Sequence, residues 1–195
     1  MTNKNIQIIA FVGMSGAGKS EAVEHLTAKG IPRVYFGGVV LDMMTELGLE
    51  LTQENEQPFR EELRRKHGTD FVVKQIVQQI RNLIAAGQHY IVADGLYTWT
   101  EYKVLKHEFP GELTVIAIVA PKHLRYHRIG QRPVRPLSHA GAIERDWAEI
   151  ENLEKGGPIA IADYFIINDG DLDTLHRKID EITQTVHFCK APMQC

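Results

Sequence analysis

The chain has 195 residues, 44% of them hydrophobic, and a formal net charge of −3 at pH 7. Length and composition predict a single domain with a full core, and the acidic balance argues against nucleic acid as the main partner. The longest apolar stretches fall far below the ~18 residues that cross a membrane, and residues 1–5 leave no room for a signal peptide. The two cysteines, Cys189 and Cys195, lie in a polar C-terminal tail, which favours a reducing cytoplasm over a disulfide framework or a metal site.

The first predicted strand, at 6–12, leads directly into Gly-Met-Ser-Gly-Ala-Gly-Lys-Ser at 13–20. This string matches G-x-x-x-x-G-K-[ST], in which glycines let backbone N–H groups surround phosphate oxygens. A helical segment follows and is closed by Gly30, so strand, loop and helix stand in the required order. The pattern predicts a nucleoside triphosphate site in which Lys19 reaches the β- and γ-phosphates and Ser20 ligates Mg²⁺. To the nucleotide site we assign Gly13, Ser15, Gly16, Ala17, Gly18, Lys19, Ser20 and Glu21.

Short apolar runs alternate with helical segments along the rest of the chain, a pattern typical of an α/β fold with a parallel sheet. Further strands are predicted at 33–36, 90–93, 113–119 and 164–167. Helices are predicted at 56–67, 70–86, 121–129, 142–155 and 172–186. The 56–67 helix requires Pro58 in its first turn, and the 142–155 helix places Ile143, Trp147, Ile150 and Leu153 on one apolar stripe.

Ligands of open parallel sheets bind beyond the carboxyl ends of the strands. This rule places Asp94, at the end of a predicted strand, on the same rim as the phosphate loop. A carboxylate at that place either holds Mg²⁺, directly or through water, or accepts the proton of an attacking hydroxyl, and the sequence leaves both roles open. The turn Asn168-Asp169-Gly170 lies on the same rim, and we assign Asn168 and Gly170 to the nucleotide base.

A basic stretch runs from Leu113 to Ile143, where the chain has no Asp or Glu. Such an excess predicts that a polyanion docks there, the alternative being a solvated basic face. Part of the stretch is rich in glycine and proline, and we interpret it as a short flap that carries guanidinium groups over phosphates. The predicted catalytic residues are Lys19, Asp94, Arg128, Arg132 and Arg135, with Arg128 also at the nucleotide.

Other side chains near the rim have two interpretations each. Arg125 either joins the phosphate site or makes a structural ion pair, and Asp146 either anchors such an arginine or is an ordinary surface carboxylate. Tyr97, Trp99 and Tyr102 follow Asp94 closely in the chain. These aromatic side chains either stack on a flat ligand or pack within the protein.

Together these parts resemble the P-loop small-molecule kinases, the group of adenylate-kinase-like and dephospho-CoA-kinase-like proteins, and most closely a mostly archaeal branch of it. The phosphate loop is the most specific point of the resemblance. The others are Glu62-Leu63-Arg64-Arg65 before Gly68, Asp94-Gly95, Ala120-Pro121 with Arg125 and Arg128, Arg145-Asp146, and Ala162-Asp163-Tyr164 leading to Asn168-Asp169-Gly170. The resemblance implies transfer of the γ-phosphate of ATP, with Mg²⁺, to a small acceptor.

The resemblance also implies a three-layer P-loop NTPase fold, with a five-stranded parallel sheet and helices on both faces. It implies one domain at 1–188 and a tail at 189–195. Within the domain it implies a core at 1–36, 88–128 and 142–188, an acceptor-binding helical region at 37–87 and a lid at 129–141.

The acceptor region departs from both named activities. Nucleoside monophosphate kinases usually place an arginine on the helix after the second strand, and dephospho-CoA kinases usually have acidic residues there; this chain has Gly37-Gly38. Either Arg60, Arg64 or Arg65 replaces the missing phosphate clamp, or the acceptor presents a bare hydroxyl. Two other functions stay open, an NTP-binding or NTP-hydrolysing regulator without an acceptor and an end-modifying kinase for RNA or DNA. The sequence carries no signal for the oligomeric state.

Overall fold

The computed structural model describes residues 6–133 and 135–188. Within them the chain forms one parallel sheet with the strand order β2-β3-β1-β4-β5. The strands are β1 (Gln7–Val12), β2 (Arg33–Tyr35), β3 (Tyr90–Asp94), β4 (Leu113–Val119) and β5 (Tyr164–Ile167). The predicted fold class and the five predicted strands are confirmed, with ends shifted by one residue at most. The tail predicted at 189–195 lies outside the described residues.

Helices connect the strands and cover both faces of the sheet. They are α1 (Lys19–Thr27), α2 (Phe36–Glu46), α3 (Gln53–His67), α4 (Phe71–Ala85), α5 (Trp99–Glu108), α6 (Lys122–Gly130), α7 (His139–Glu151), α8 (Gly156–Ala160) and α9 (Leu172–Thr185). No helix was predicted from the sequence pattern at α2, α5 or α8, although α2 lies almost wholly within the helical region 37–87 that the resemblance implied. A signal for α5 was present, since Thr98 and Glu101 form a capping box at its start, a pattern that is readable from the sequence.

Two predictions about helices were wrong. Helix α3 begins at Gln53 rather than 56, so Pro58 is the sixth residue and lies beyond the first turn. Helix α7 begins three residues early, where Ser138 accepts a hydrogen bond from the Gly141 N–H. The predicted apolar stripe of α7 does not face the core, because Trp147 and Ile150 are 62% and 49% exposed.

The core lies in two clusters separated by the sheet. Alternate side chains of β1 enter them, with Ile8 and Ala10 on one face and Ile9 and Phe11 on the other. A third, smaller cluster of Val40, Met44 and Leu63 joins α2 to α3. Because β1 is central and paired on both sides, the loop that follows it lies in the middle of the rim formed by the strands' carboxyl ends.

Candidate active site

The loop between β1 and α1 needs glycine at three positions. A Cβ would lie 2.3 Å from the Ile118 carbonyl oxygen on Gly13, 2.7 Å from the Arg125 carbonyl oxygen on Gly16 and 2.3 Å from Asn168 Nδ2 on Gly18. The φ of Gly16 is +79° and that of Gly18 is +107°, in the region that side chains disfavour. The glycines therefore let the loop backbone pack closely against β4, α6 and the turn after β5.

A cavity of about 640 Å³ opens beside this loop. It brings together nine of the predicted site residues: Gly16, Gly18, Lys19, Ser20, Glu21, Arg128, Arg132, Asn168 and Gly170. The far wall is built by hydrogen bonds, since buried Asn168 donates to the Ala17 carbonyl at 2.8 Å and Arg128 donates to the Asn168 carbonyl at 3.1 Å. Of the other loop residues, Gly13 and Ala17 are buried and Ser15 bonds elsewhere.

Lys19 is held close to the loop. Its Nζ donates to the carbonyl oxygens of Gly13 at 2.8 Å and Met14 at 3.1 Å. Burial and the neighbouring ammonium of Lys155 lower the pKa of Lys19 to about 7, and the charges of Glu149 and, to a smaller extent, Asp94 oppose them. A phosphate that binds Lys19 therefore meets an amine that is only partly protonated at neutral pH.

Asp94 ends β3, within electrostatic reach of Lys19. Its carboxylate is half-buried, and Oδ2 lies 3.6 Å from Arg33 Nη1. Burial raises the pKa of Asp94, and the charges of Arg33 and Lys19 act in the opposite direction. The carboxylate thus lies between the phosphate loop and the edge of the sheet that carries α2 to α4.

A buried carboxylate on α7 binds the phosphate loop. It was not predicted from the sequence as a site residue. Glu149 of α7 is 1% exposed. Its Oε2 accepts from the Ser15 N–H at 3.0 Å, and its Oε1 accepts from the Ser15 hydroxyl at 2.6 Å. The same Oε1 accepts from Arg145 Nε at 3.0 Å and lies 2.8 Å from Lys155 Nζ. These contacts explain why α7 turns its polar side inward.

Arg125 and Asp146 make the structural pair. Arg125 donates through Nη1 to Asp146 Oδ1 at 2.8 Å and through Nη2 to Oδ2 at 2.6 Å. The same Nη1 donates to the Ser15 carbonyl at 3.0 Å. A buried bidentate pair therefore anchors the loop from behind, and Asp146 is the partner of an arginine rather than an ordinary surface carboxylate.

The two arginines of the predicted flap, Arg132 and Arg135, lie in different places. Arg132 lines the cavity. Arg135 is exposed, has a φ of +54°, and its Nη2 lies 3.7 Å from Glu56 Oε2 on α3. The structure therefore brings Arg128 and Arg132 together at the phosphate loop and places Arg135 towards the helices that follow β2.

The aromatic residues after β3 mainly pack within the protein. Trp99 stacks on Tyr102 with ring centroids 5.3 Å apart. Tyr97 differs, because Lys155 Nζ lies over its ring, 4.4 Å from the centroid. Glu101 accepts from the Tyr97 N–H at 2.9 Å, and burial raises the pKa of both side chains. Glu101 and Lys155 thus hold Tyr97, and Lys155 connects this loop to Glu149, which binds the phosphate loop.

Arginines of α3 approach the same loop from the other side. The charge of Arg60 acts on Tyr97 and the charge of Arg64 acts on Glu101. Arg60 pairs with Glu56, while its Nε is buried with no hydrogen-bond partner. At the start of α2, a Cβ on Gly37 would lie 2.4 Å from the hydroxyl oxygen of Tyr35. Tyr35 therefore occupies the space beside the first turn of α2.

The chain is similar to several known proteins in sequence and in fold. The sequence profile of the family described as AAA domain matches residues 9–146. A UPF0200 protein from Thermococcus onnurineus is 34% identical over 182 residues, 92% of this chain and 97% of that protein. Shikimate kinase from Acinetobacter baumannii has a TM-score of 0.53 at 17% identity, with 92% of this chain and 94% of that chain covered. Dephospho-CoA kinase from Campylobacter jejuni has a TM-score of 0.50 at 19% identity, with 92% and 97% covered.

The structural likenesses confirm the resemblance to P-loop kinases at the level of the fold. In the described part of the chain, every helix is too short or too polar to cross a membrane.

Proposed function

Because the chain belongs to the UPF0200 family and carries an AAA domain, we propose that it is an ATP-dependent phosphotransferase with a small acceptor. The observation that supports this most is the position of Asp94. Its carboxylate lies within electrostatic reach of Lys19, at the end of β3, which stands between β1 with its phosphate loop and β2, which leads into α2. A hydroxyl bound on the α2–α4 side would meet the γ-phosphate next to a proton acceptor.

In the proposed reaction the acceptor hydroxyl oxygen bonds to the γ-phosphorus of ATP. The bond from that phosphorus to the β,γ-bridging oxygen breaks, and ADP leaves. Asp94 takes the hydroxyl proton. Lys19, Arg128 and Arg132 stabilise the charge on the phosphates, since all three line the cavity beside the glycine loop.

The oxygen donors at the site suit Mg²⁺. Ser20 lies in the first turn of α1 and lines the cavity, so its hydroxyl oxygen is one donor. Asp94 adds carboxylate oxygens, the donor type that Mg²⁺ prefers. When bound, the ion would neutralise charge on the β- and γ-phosphate oxygens. We keep both proposed roles of Asp94, because a carboxylate linked to the metal through water can also accept a proton.

We propose that residues 37–87 bind the acceptor and that 129–141 form the lid. The small cluster of Val40, Met44 and Leu63 supports a distinct acceptor unit. Arg60 offers a buried N–H without a partner beside the loop after β3. A buried donor of this kind favours an acceptor that carries an anionic group as well as the reacting hydroxyl.

A phosphoryl-transfer screen tests this proposal. ATP or GTP labelled at the γ-phosphate is incubated with nucleosides, nucleotides, dephospho-CoA and small hydroxy acids, and products are identified by mass spectrometry. Lys19→Met serves as the inactive control, because it removes the ammonium and keeps the chain length of the side chain. Transfer by the wild type to at least one acceptor is expected. Tight nucleotide binding without transfer to any acceptor would instead favour the regulator.

A further inference from the structure

Lys155, between α7 and α8, has an ammonium that is buried beside the phosphate loop. The residue is 4% exposed, and its Nζ lies 2.8 Å from Glu149 Oε1. That same oxygen accepts from the Ser15 hydroxyl at 2.6 Å. Lys155 and the third residue of the glycine loop therefore bind one atom and lie next to each other.

The other side of Lys155 faces the loop that follows Asp94. Its Nζ lies 4.4 Å from the centre of the Tyr97 ring. Lys155 thus lies next to the residues that line the cavity, between Glu149, which binds Ser15, and the loop after Asp94. In the reaction proposed above, the γ-phosphoryl group passes between these two loops.

The ammonium groups of Lys155 and Lys19 share one anion in the nucleotide-free protein. The Lys155 ammonium lowers the pKa of Lys19, whereas the charge of Glu149, whose Oε1 lies 2.8 Å from Lys155 Nζ, raises it. A triphosphate at the glycine loop would bring further negative charge to this pair of ammonium groups. Arg145, Lys155 and the Ser15 hydroxyl all bind Glu149 Oε1. Two cations and a hydroxyl are also the kind of donors that bind a phosphate oxygen.

We propose that Lys155 is a second phosphate-binding lysine, which contacts the γ-phosphoryl group of the bound triphosphate, while Glu149 holds its ammonium in the nucleotide-free protein. The nucleotide contact stands on the geometry alone. Its use during transfer rests on the function proposed above. Arg135, one of three arginines expected at the phosphates from the sequence, lies 3.7 Å from Glu56 on α3 instead.

Lys106 provides a matched control, because it makes similar contacts away from the nucleotide cavity. Its Nζ lies 2.8 Å from Asp163 Oδ2 and 6.0 Å from the centre of the Tyr102 ring. Replacing either lysine by methionine removes an ion pair and a cation–π contact while keeping the apolar stem.

The experiment measures the affinities of Mg·ATP and Mg·ADP for the wild type, Lys155→Met and Lys106→Met by calorimetry. Lys155→Met is expected to weaken Mg·ATP about tenfold to a hundredfold, the effect of one charge-assisted hydrogen bond, and to leave Mg·ADP within about twofold. Lys106→Met is expected to change neither. Where the single variant unfolds, the double variant Lys155→Met/Glu149→Gln is compared with Glu149→Gln alone, because Glu149 also binds Ser15 of the phosphate loop. The further loss caused by Lys155→Met in that background is expected for Mg·ATP and not for Mg·ADP.

Equal losses of ATP and ADP affinity, or no loss of either, would overturn the proposal. The result is independent of any acceptor. An ATP-specific loss combined with a failed transfer screen would refute only the phosphotransferase, whereas transfer without an ATP-specific loss would refute only the role of Lys155. A wild type that binds neither nucleotide would refute both.

Discussion

The affinity for Mg·ATP should depend on pH through Lys19. In the free protein, burial and Lys155 lower the pKa of this lysine to about 7. Phosphates that contact the ammonium favour its charged form, so the pKa rises on binding and the complex takes up a proton above neutrality. The affinity should be constant below about pH 6 and should fall about tenfold per pH unit above 7. At about pH 9 the loss is ~100-fold, or about 2.7 kcal/mol.

Calorimetry in two buffers of different ionisation enthalpy measures this proton uptake directly. The uptake should be about half a proton at pH 7 and close to one proton at about pH 9, from the pKa of Lys19 in the free protein. Lys19→Arg is the control, because a guanidinium stays charged over this range and its affinity should not follow pH. Constant affinity for the wild type between pH 6 and 9 would refute the reasoning.

Three further substitutions test the site. Asp94→Asn should lower the turnover of transfer by about 100-fold or more, as loss of a general base does, and leave the dissociation constant of ATP within about threefold; equal loss of both would make Asp94 structural. Arg128→Ala should weaken ATP and ADP alike, by about tenfold, because its bond to the Asn168 carbonyl shapes the cavity wall for either nucleotide, and an ATP-only effect in calorimetry would contradict this. Gly18→Ala should abolish nucleotide binding and lower the melting temperature, since its Cβ would lie 2.3 Å from an Asn168 atom. Gly30→Ala is the control, because its φ of +82° costs stability as well but its Cβ meets open space, so it should lower the melting temperature and retain binding.

The sequence predicted the sheet and the phosphate loop well because both depend on local patterns. An apolar run followed by G-x-x-x-x-G-K-S specifies strand, loop and helix within 20 residues. Helix α7 shows the opposite case. Its apolar period favoured burial of Trp147, but Glu149 turns inward because it bonds Ser15, which lies 134 positions away in the chain. A contact of that sequence separation leaves no trace in periodicity.

The arginines show the same limit. Arg128, Arg132 and Arg135 are close in sequence and looked equivalent as phosphate ligands. In the structure the first two line the cavity and the third pairs with Glu56. The backbone direction at Arg135 and the position of α3 decide this difference, and neither follows from residue type or spacing.

The separate apolar cluster that joins α2 to α3 affects how such a protein can diversify. Val40, Met44 and Leu63 pack mainly with each other and with side chains of α4, not with the sheet. If α2 and α3 bind the acceptor as proposed, changes at these three positions alter its surroundings without disturbing the two clusters on the sheet, whereas Phe36 and Val39 of α2 belong to one of those clusters. Related proteins can therefore come to accept different metabolites through substitutions in this small cluster, while the phosphate loop and the sheet stay unchanged.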